Sequence, residues 1–171
     1  KRFYPQGALM SHVVGFTSIE DIGIEGLEKQ YNERLKGANG SRVVIRNRLG
    51  EVIEDVNSSD SIPAQHGENI QLTIDTRVQL IAARALEKTI KTHKAESGGA
   101  VVIDTLTGEI LAMVSLPNYD PNNRKDRRGE ALRNRAITDT FEPGSTFKPL
   151  VAALALYSGA ITKNTKFATG S

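Results

Sequence analysis

Pro149 interrupts a stretch, Ser145 to Ser158, whose apolar residues Phe147, Leu150, Val151, Leu154 and Ala155 recur at helical spacing. Proline has no amide proton to donate, and its ring collides with the turn before it. It is tolerated only in the first turn of a helix. The helix therefore has to begin close to Ser145, and Gly159 is its natural end. The dipeptide Pro143-Gly144 just ahead reads as a tight turn into that helix. One proline thus pins a serine to a helix N-terminus.

That position matters chemically. A serine hydroxyl is a weak nucleophile at neutral pH and needs a neighbouring base. Lys148 stands three residues on, and i, i+3 side chains leave the same side of a helical turn. A lysine can be that base where desolvation or cationic neighbours favour its neutral form. The free amides and positive dipole end of a helix N-terminus favour the negative charge that develops on attack. The spacing alone is a weak signal. With 10 lysines in 171 residues, one Ser-x-x-Lys match is about what chance supplies. A helix-capping serine followed by a solvated lysine is the simpler reading of four residues by themselves.

The rest of the chain reads as a mixed α and β protein. Ile24, Leu27, Tyr31 and Leu35 fall at helical spacing, with Gly37 as a C-cap candidate. Arg42 to Ile45 and Glu51 to Val56 read as a hairpin around Leu49-Gly50. Asn57 to Glu68, rich in Ser, Pro, Gly and Asp, reads as a connector and a domain boundary. Gln71 to Ile74 is expected as a brief strand. Asp75 is expected to cap a helix whose stripe is Val78, Ile81, Ala82, Ala85, Leu86 and Ile90. Ala100 to Asp104 and Glu109 to Ser115, joined by Thr105-Leu106-Thr107-Gly108, form the clearest hairpin. Pro117 to Gly129 reads as a long surface loop.

Composition narrows the class. Apolar residues make up 39% and charged residues 25%, as in a globular protein. A net charge of +2 gives no reason to expect nucleic acid. The absence of cysteine excludes disulfides and thiolate metal sites, and leaves the redox compartment open. The longest apolar run of the last helix, Leu150 to Tyr157, is far short of the roughly 20 residues of a membrane span. Any membrane anchor is expected upstream of Lys1.

The segment Arg133-Asn134-Arg135-Ala136-Ile137-Thr138-Asp139-Thr140-Phe141-Glu142-Pro143-Gly144-Ser145-Thr146-Phe147-Lys148-Pro149 closely resembles the nucleophile segment of class B penicillin-binding proteins. Phe3-Tyr4-Pro5 with Gly15-Phe16-Thr17, Gly23-Ile24-Glu25-Gly26-Leu27-Glu28, and Gly99-Ala100-Val101-Val102-Ile103-Asp104 through Pro117-Asn118-Tyr119-Asp120-Pro121-Asn122-Asn123 resemble the same family in the same order. The likeness covers essentially the whole chain. The Arg-Asn-Arg run favours the septal, cell-division type over the cell-elongation type.

The resemblance implies an α+β chain. It would hold part of a non-catalytic pedestal domain over residues 1–67. The first part of a transpeptidase domain, with its serine β-lactamase-like fold, would follow over 68–171. It implies a D,D-transpeptidase that cross-links peptidoglycan stem peptides during septal synthesis and is acylated by β-lactam antibiotics. Ser145 would be the nucleophile, Lys148 the base, and the Ser145 amide half of the oxyanion hole. No cofactor or metal is implied. Divisome membrane proteins would be partners, and the protein would act in the periplasm, anchored to the inner membrane. The family's Ser-x-Asn and Lys-Thr-Gly motifs do not occur among the 23 residues after Lys148, so the 171-residue chain by itself is expected to be inactive.

Two other readings stand beside this one. A β-lactamase or D-Ala-D-Ala carboxypeptidase would share the tetrad, although the pedestal-like first 67 residues argue against it. A non-catalytic module that docks divisome partners would use the helix near residues 24–36. His12, His66 and His93 lack metal-ligand spacing and read as surface or satisfied core residues. Arg124, Lys125, Arg127 and Arg128 read as a solvated loop, and Arg42, Arg46 and Arg48 as the polar edge of a hairpin. Glu142 reads either as an electrostatic neighbour of Lys148 or as a structural residue of the loop before Ser145, and Arg133 and Asn134 as braces of the same loop.

Overall fold

The clearest hairpin organises the first part of the chain. A computed structural model describes residues 2–55 and 61–167. In it, strands β5 (Gly98–Ile103) and β6 (Ile110–Leu116) pair antiparallel, with Ala100 opposite Val114 and Val102 opposite Ala112. Exposure alternates along β5, while β6 buries Ala112, Val114 and Ser115. This is the pattern of a ribbon with one face turned to a core. The turn closes on Asp104, whose carboxylate accepts from the amides of Leu106 and Thr107.

Helix α4 (Thr76–His93) packs against both strands. Asp75 caps it as expected, accepting from the amides of Arg77 at 2.8 Å and Val78 at 3.3 Å. The buried stripe is rotated from the one expected. Val78, Ala82, Leu86 and Ile90 are half-buried, but Ile81 and Ala85 are exposed, and Gln79 is the buried residue of the helix. A polar side chain can take that place because every donor and acceptor on it is used. Its amide nitrogen donates to the carbonyls of Leu9 and Met113, and its oxygen accepts from the Met113 amide. The expected strand over residues 71–74 does not form. Only Thr73 Oγ1 and the Asp75 amide bond to β6, at Ile110 and Leu111, too few for a ladder.

The N-terminal segment belongs to the same core. Tyr4, Phe16 and Tyr119 form a buried cluster, with Val14, Ala131 and Leu132 against it. Tyr119 Oη donates to the Ser11 carbonyl, and Asn122 exchanges two bonds with the backbone of Tyr4. The stretch after β6 is thus only partly a surface loop, since Tyr119 and Pro121 are buried. Arg127 is a correction to the solvated-loop reading. Its guanidinium lies 4.4 Å from the centre of the Phe16 ring and donates to the carbonyls of Thr17 and Pro121. Arg124, Lys125 and Arg128 are exposed.

The helix expected over residues 24–35 is not a single one. Strand β1 (Phe16–Thr17) pairs with β2 (Gly23–Glu25), which takes Ile24 out of the helix. Two short helices follow, α2 (Gly26–Gln30) and α3 (Asn32–Leu35), broken at Tyr31. Gly37 is not a left-handed C-cap. Lys36 ends α3 in an extended conformation, and a Cβ on Gly37 would lie 2.2 Å from the Gln65 carbonyl oxygen. Glycine is there because a second chain segment passes over it.

That segment is the expected connector. Ala38 pairs with Gln65 and Ser41 with Ile62, so its second half folds back instead of trailing free. Residues 57–60 of the connector lie outside the described residues. Strands β3 (Val44–Arg46) and β4 (Val52–Asp55) form the expected hairpin, turning at Gly50, whose φ is +85°. Arg42, Arg46 and Arg48 are exposed on it.

The chain divides into two compact units, one ending at Thr138 and one starting at Asp139. The second consists of a 3-10 turn (Gly144–Phe147), helix α6 (Lys148–Tyr157) and a short tail. No helix among the described residues is long and apolar enough to cross a membrane.

Candidate active site

The approach to Ser145 starts in the first unit. A 3-10 turn over Gly129–Leu132 leads to helix α5 (Arg135–Thr138). Ser115 Oγ accepts from the Arg135 amide at 2.9 Å. Asn134 Nδ2 donates to the His12 carbonyl at 3.4 Å, and Arg133 Nε to Thr138 Oγ1 at 3.2 Å. Arg135 pairs with Glu130 at 2.7 Å. Gly99 lets α5 sit close, since a Cβ there would be 3.3 Å from the Ala136 Cα. The Arg-Asn-Arg run therefore braces residues 129–138. Glu142 is exposed.

In the second unit, Gly144 takes a left-handed φ of +51° and opens the turn. Thr146 donates its amide to the Pro143 carbonyl, and Lys148 donates its amide to the Ser145 carbonyl. Pro149 explains this geometry. In a regular α-helix the amide of residue 149 would take the Ser145 carbonyl as acceptor. Proline has no such amide, so the Ser145 carbonyl accepts from Lys148 and the turn tightens to 3-10. In a 3-10 turn, side chains at i and i+3 eclipse one another. Ser145 and Lys148 stand at i and i+3 across the tight turn.

Ser145, Lys148 and every residue between them are exposed. The apolar side chains of α6 are exposed too, Leu154 at 66% and Leu150 at 61%. The helix ends as expected, with Gly159 at a φ of +74° and Ile161 folding back to the Ala155 carbonyl. The arrangement offers a serine hydroxyl and an amine on one turn, at the N-terminal end of α6. A serine and an amine so placed can in principle serve acyl transfer as nucleophile and base.

Sequence reading missed Gln79, Tyr119 and His12 as organising residues. His12 is the most unusual of the three. Its ring is largely withdrawn from water, and burial holds its pKa below the ordinary histidine range against the weaker opposing effect of the Ala131 carbonyl. Burial likewise pushes the Tyr119 phenol up. Glu28, buried beside Arg2, is pushed up by desolvation more than the arginine draws it down. His66 and His93 are exposed.

Residues 98–171 match the family model of the penicillin binding protein transpeptidase domain, and residues 1–72 that of the penicillin-binding protein dimerisation domain. The chain is 47% identical over 164 residues to the peptidoglycan D,D-transpeptidase FtsI of Escherichia coli, covering 96% of this chain and 27% of that protein. It is 43% identical to the probable peptidoglycan D,D-transpeptidase PenA of Neisseria gonorrhoeae, covering 99% and 29%. The chain thus spans less than a third of the length of these curated relatives. Among solved structures, penicillin binding protein 3 from Mycobacterium tuberculosis superposes with a TM-score of 0.76 at 30% identity, over 98% of this chain and 34% of that one. A peptidoglycan synthetase from Bifidobacterium adolescentis gives a TM-score of 0.77 at 29% identity, over 99% and 31%.

Proposed function

The chain belongs to the penicillin-binding protein family, and from that footing we propose that the whole protein is a septal peptidoglycan D,D-transpeptidase with Ser145 as its nucleophile and Lys148 as its base. One observation carries the assignment of roles. Within the transpeptidase match, the Lys148 amide donates to the Ser145 carbonyl, so one tight turn closes between the two residues, with Gly144 opening it and Pro149 following it.

In this reading Ser145 Oγ attacks the carbonyl carbon of the penultimate D-Ala of a stem peptide as its proton passes to Lys148 Nζ. The oxyanion is met by the Ser145 amide. Collapse of the tetrahedral intermediate breaks the D-Ala–D-Ala bond, and the leaving amine takes the proton back. The amine of a second stem peptide then attacks the acyl-serine ester, which forms the cross-link and frees Ser145. A β-lactam forms the same ester by ring opening.

The domain reading follows from the same footing. We place the border between pedestal and transpeptidase domains near residue 67, which the end of the dimerisation-domain match at residue 72 supports. The site would face the periplasm on a protein anchored in the inner membrane, and divisome membrane proteins would be its partners.

Mass spectrometry of the full-length protein after penicillin treatment tests the assignment. A single adduct on the peptide holding Ser145 is expected, and Ser145→Ala should lose it, with acylation down by roughly a thousandfold or more. An adduct on another residue, or none in the wild type, sinks the assignment. Rapid release of the adduct would point instead to a β-lactamase or carboxypeptidase.

A further inference from the structure

We propose that His12 is a proton-sensitive positioning residue, a latch that holds the N-terminal segment to the chain entering α5 while neutral and loosens it when protonated. His12 lies in the dimerisation-domain match and its partners lie in the transpeptidase match, so the latch joins the two. It stands apart from the assignment of Ser145.

The geometry is closed on three sides. Ring Nε2 lies 2.8 Å from the Ala131 carbonyl oxygen. A carbonyl only accepts, so Nε2 carries the proton, and in the neutral ring Nδ1 carries none. The ring stands perpendicular to that of Tyr119, with centres 5.4 Å apart. Tyr119 is itself fixed, 3% exposed, with its hydroxyl on the carbonyl of Ser11, the residue before His12. The backbone of His12 is held as well, its carbonyl accepting from Asn134. One residue of α1 (Ser11–Val14) is thus gripped at ring and backbone by residues 131 and 134.

The same residues border a cleft of about 420 Å³. Two charged side chains line that cleft, Glu25 from the end of β2 and Arg133 from the stretch before α5. They carry opposite charges, and removal from water is the larger influence on which form of the ring is favoured. Burial lowers its pKa more than the Ala131 carbonyl raises it. The neutral ring satisfies its one donor in place. The imidazolium has a second donor and a full charge to hydrate, which it gains by opening the contact.

The sign follows directly. A folded-state pKa below the ordinary value means that the closed form binds the proton more weakly than the open one. The contact is fully present above the ordinary histidine pKa of about 6.5 and weakens as pH falls from there through the depressed value. One linked proton changes the opening equilibrium by at most about tenfold per pH unit.

Hydrogen exchange on the full-length protein, corrected for intrinsic rates, reads the latch at residues 11–15 and 129–135 between about pH 7.5 and 5.5. In the wild type, opening should rise several-fold toward the acid end. His12→Gln keeps an amide donor for Ala131 and cannot be protonated, so its profile should be flat. His12→Phe keeps the ring and loses the donor, so it should open faster at every pH, again with a flat profile. An equal acid response in wild type and His12→Gln overturns the proposal. Should either variant fail to fold, NMR titration of the labelled wild-type ring decides. A midpoint below about 6.5 is expected, and one at or above it overturns the latch.

Discussion

Residues 4–138 are held together by side chains that reach backbone atoms far away in sequence, whereas the hydrogen bonds described for residues 143–167 span no more than six positions. The first unit buries Tyr4, Phe16, Gln79 and Tyr119. In the second, no described residue from 139 to 167 is buried. The bonds described around the chemistry-bearing turn are local, and a glycine opens it while a proline follows it. The pedestal-side and transpeptidase-side segments of the first unit are instead interlocked through tertiary contacts. Stability and nucleophile geometry should respond to different residues, and three substitutions put that division to the test.

Gln79→Leu should have the largest effect. It puts an apolar side chain of similar size in the buried position and leaves the carbonyls of Leu9 and Met113 and the amide of Met113 without their partner. Groups buried unpaired cost about 1–3 kcal/mol each, partly relieved by water, so a loss of about 3 kcal/mol is expected. Chemical denaturation of the full-length protein would show it as a lower midpoint with an unchanged slope. A change below about 0.5 kcal/mol would mean that the long-range bonds do not hold the first unit.

Pro149→Ala should do the converse. The new amide offers the Ser145 carbonyl its α-helical donor, so the first turn relaxes from 3-10 toward α and Ser145 shifts relative to Lys148. Small misplacements of reacting groups are costly, and acylation by penicillin should slow by about tenfold or more while the melting temperature holds or rises. An unchanged acylation rate would separate the 3-10 turn from the chemistry.

What could be read from sequence divides along the same line. The last helix, its beginning close to Ser145 through a 3-10 turn, the Gly159 end, the Asp75 cap and both hairpins were legible, because each is set by neighbours within a few residues. The buried stripe of α4 was misread at Ile81 and Ala85, since periodicity cannot show that a glutamine will find three backbone partners from Leu9 and Met113. Arg127 reads as solvated for the same reason: its carbonyl partners and the Phe16 ring come from elsewhere in the fold. Gly37 follows a helix as a C-cap would, but its cause is Gln65, a residue far along the chain. His12 has no motif around it that announces Ala131. Ser145 and Lys148 stood out through the family-like segment, and a 3-10 turn stands where spacing implied a regular α-helix.

Asp75→Asn should have the smallest effect and its own pH signature. Arg77's side chain, then the amides of Arg77 and Val78, draw the Asp75 carboxyl down to about 2. The folded pKa lies below the ordinary value of about 3.9, so the ionised cap stabilises the protein above that value and ceases to do so as pH falls toward 2. Asparagine can still cap α4 but brings no charge to its N-terminus or to Arg77. The melting temperatures of wild type and Asp75→Asn should therefore differ slightly at neutral pH, converge between about pH 4 and 2, and draw closer in high salt, because the Asp75–Arg77 pair lies at the surface. A difference that persists unchanged down to pH 2 would show that the cap acts through shape alone. The local charge effect would then play no part in how this helix begins, although the same kind of local effect is invoked for the turn that leads from Ser145 into α6.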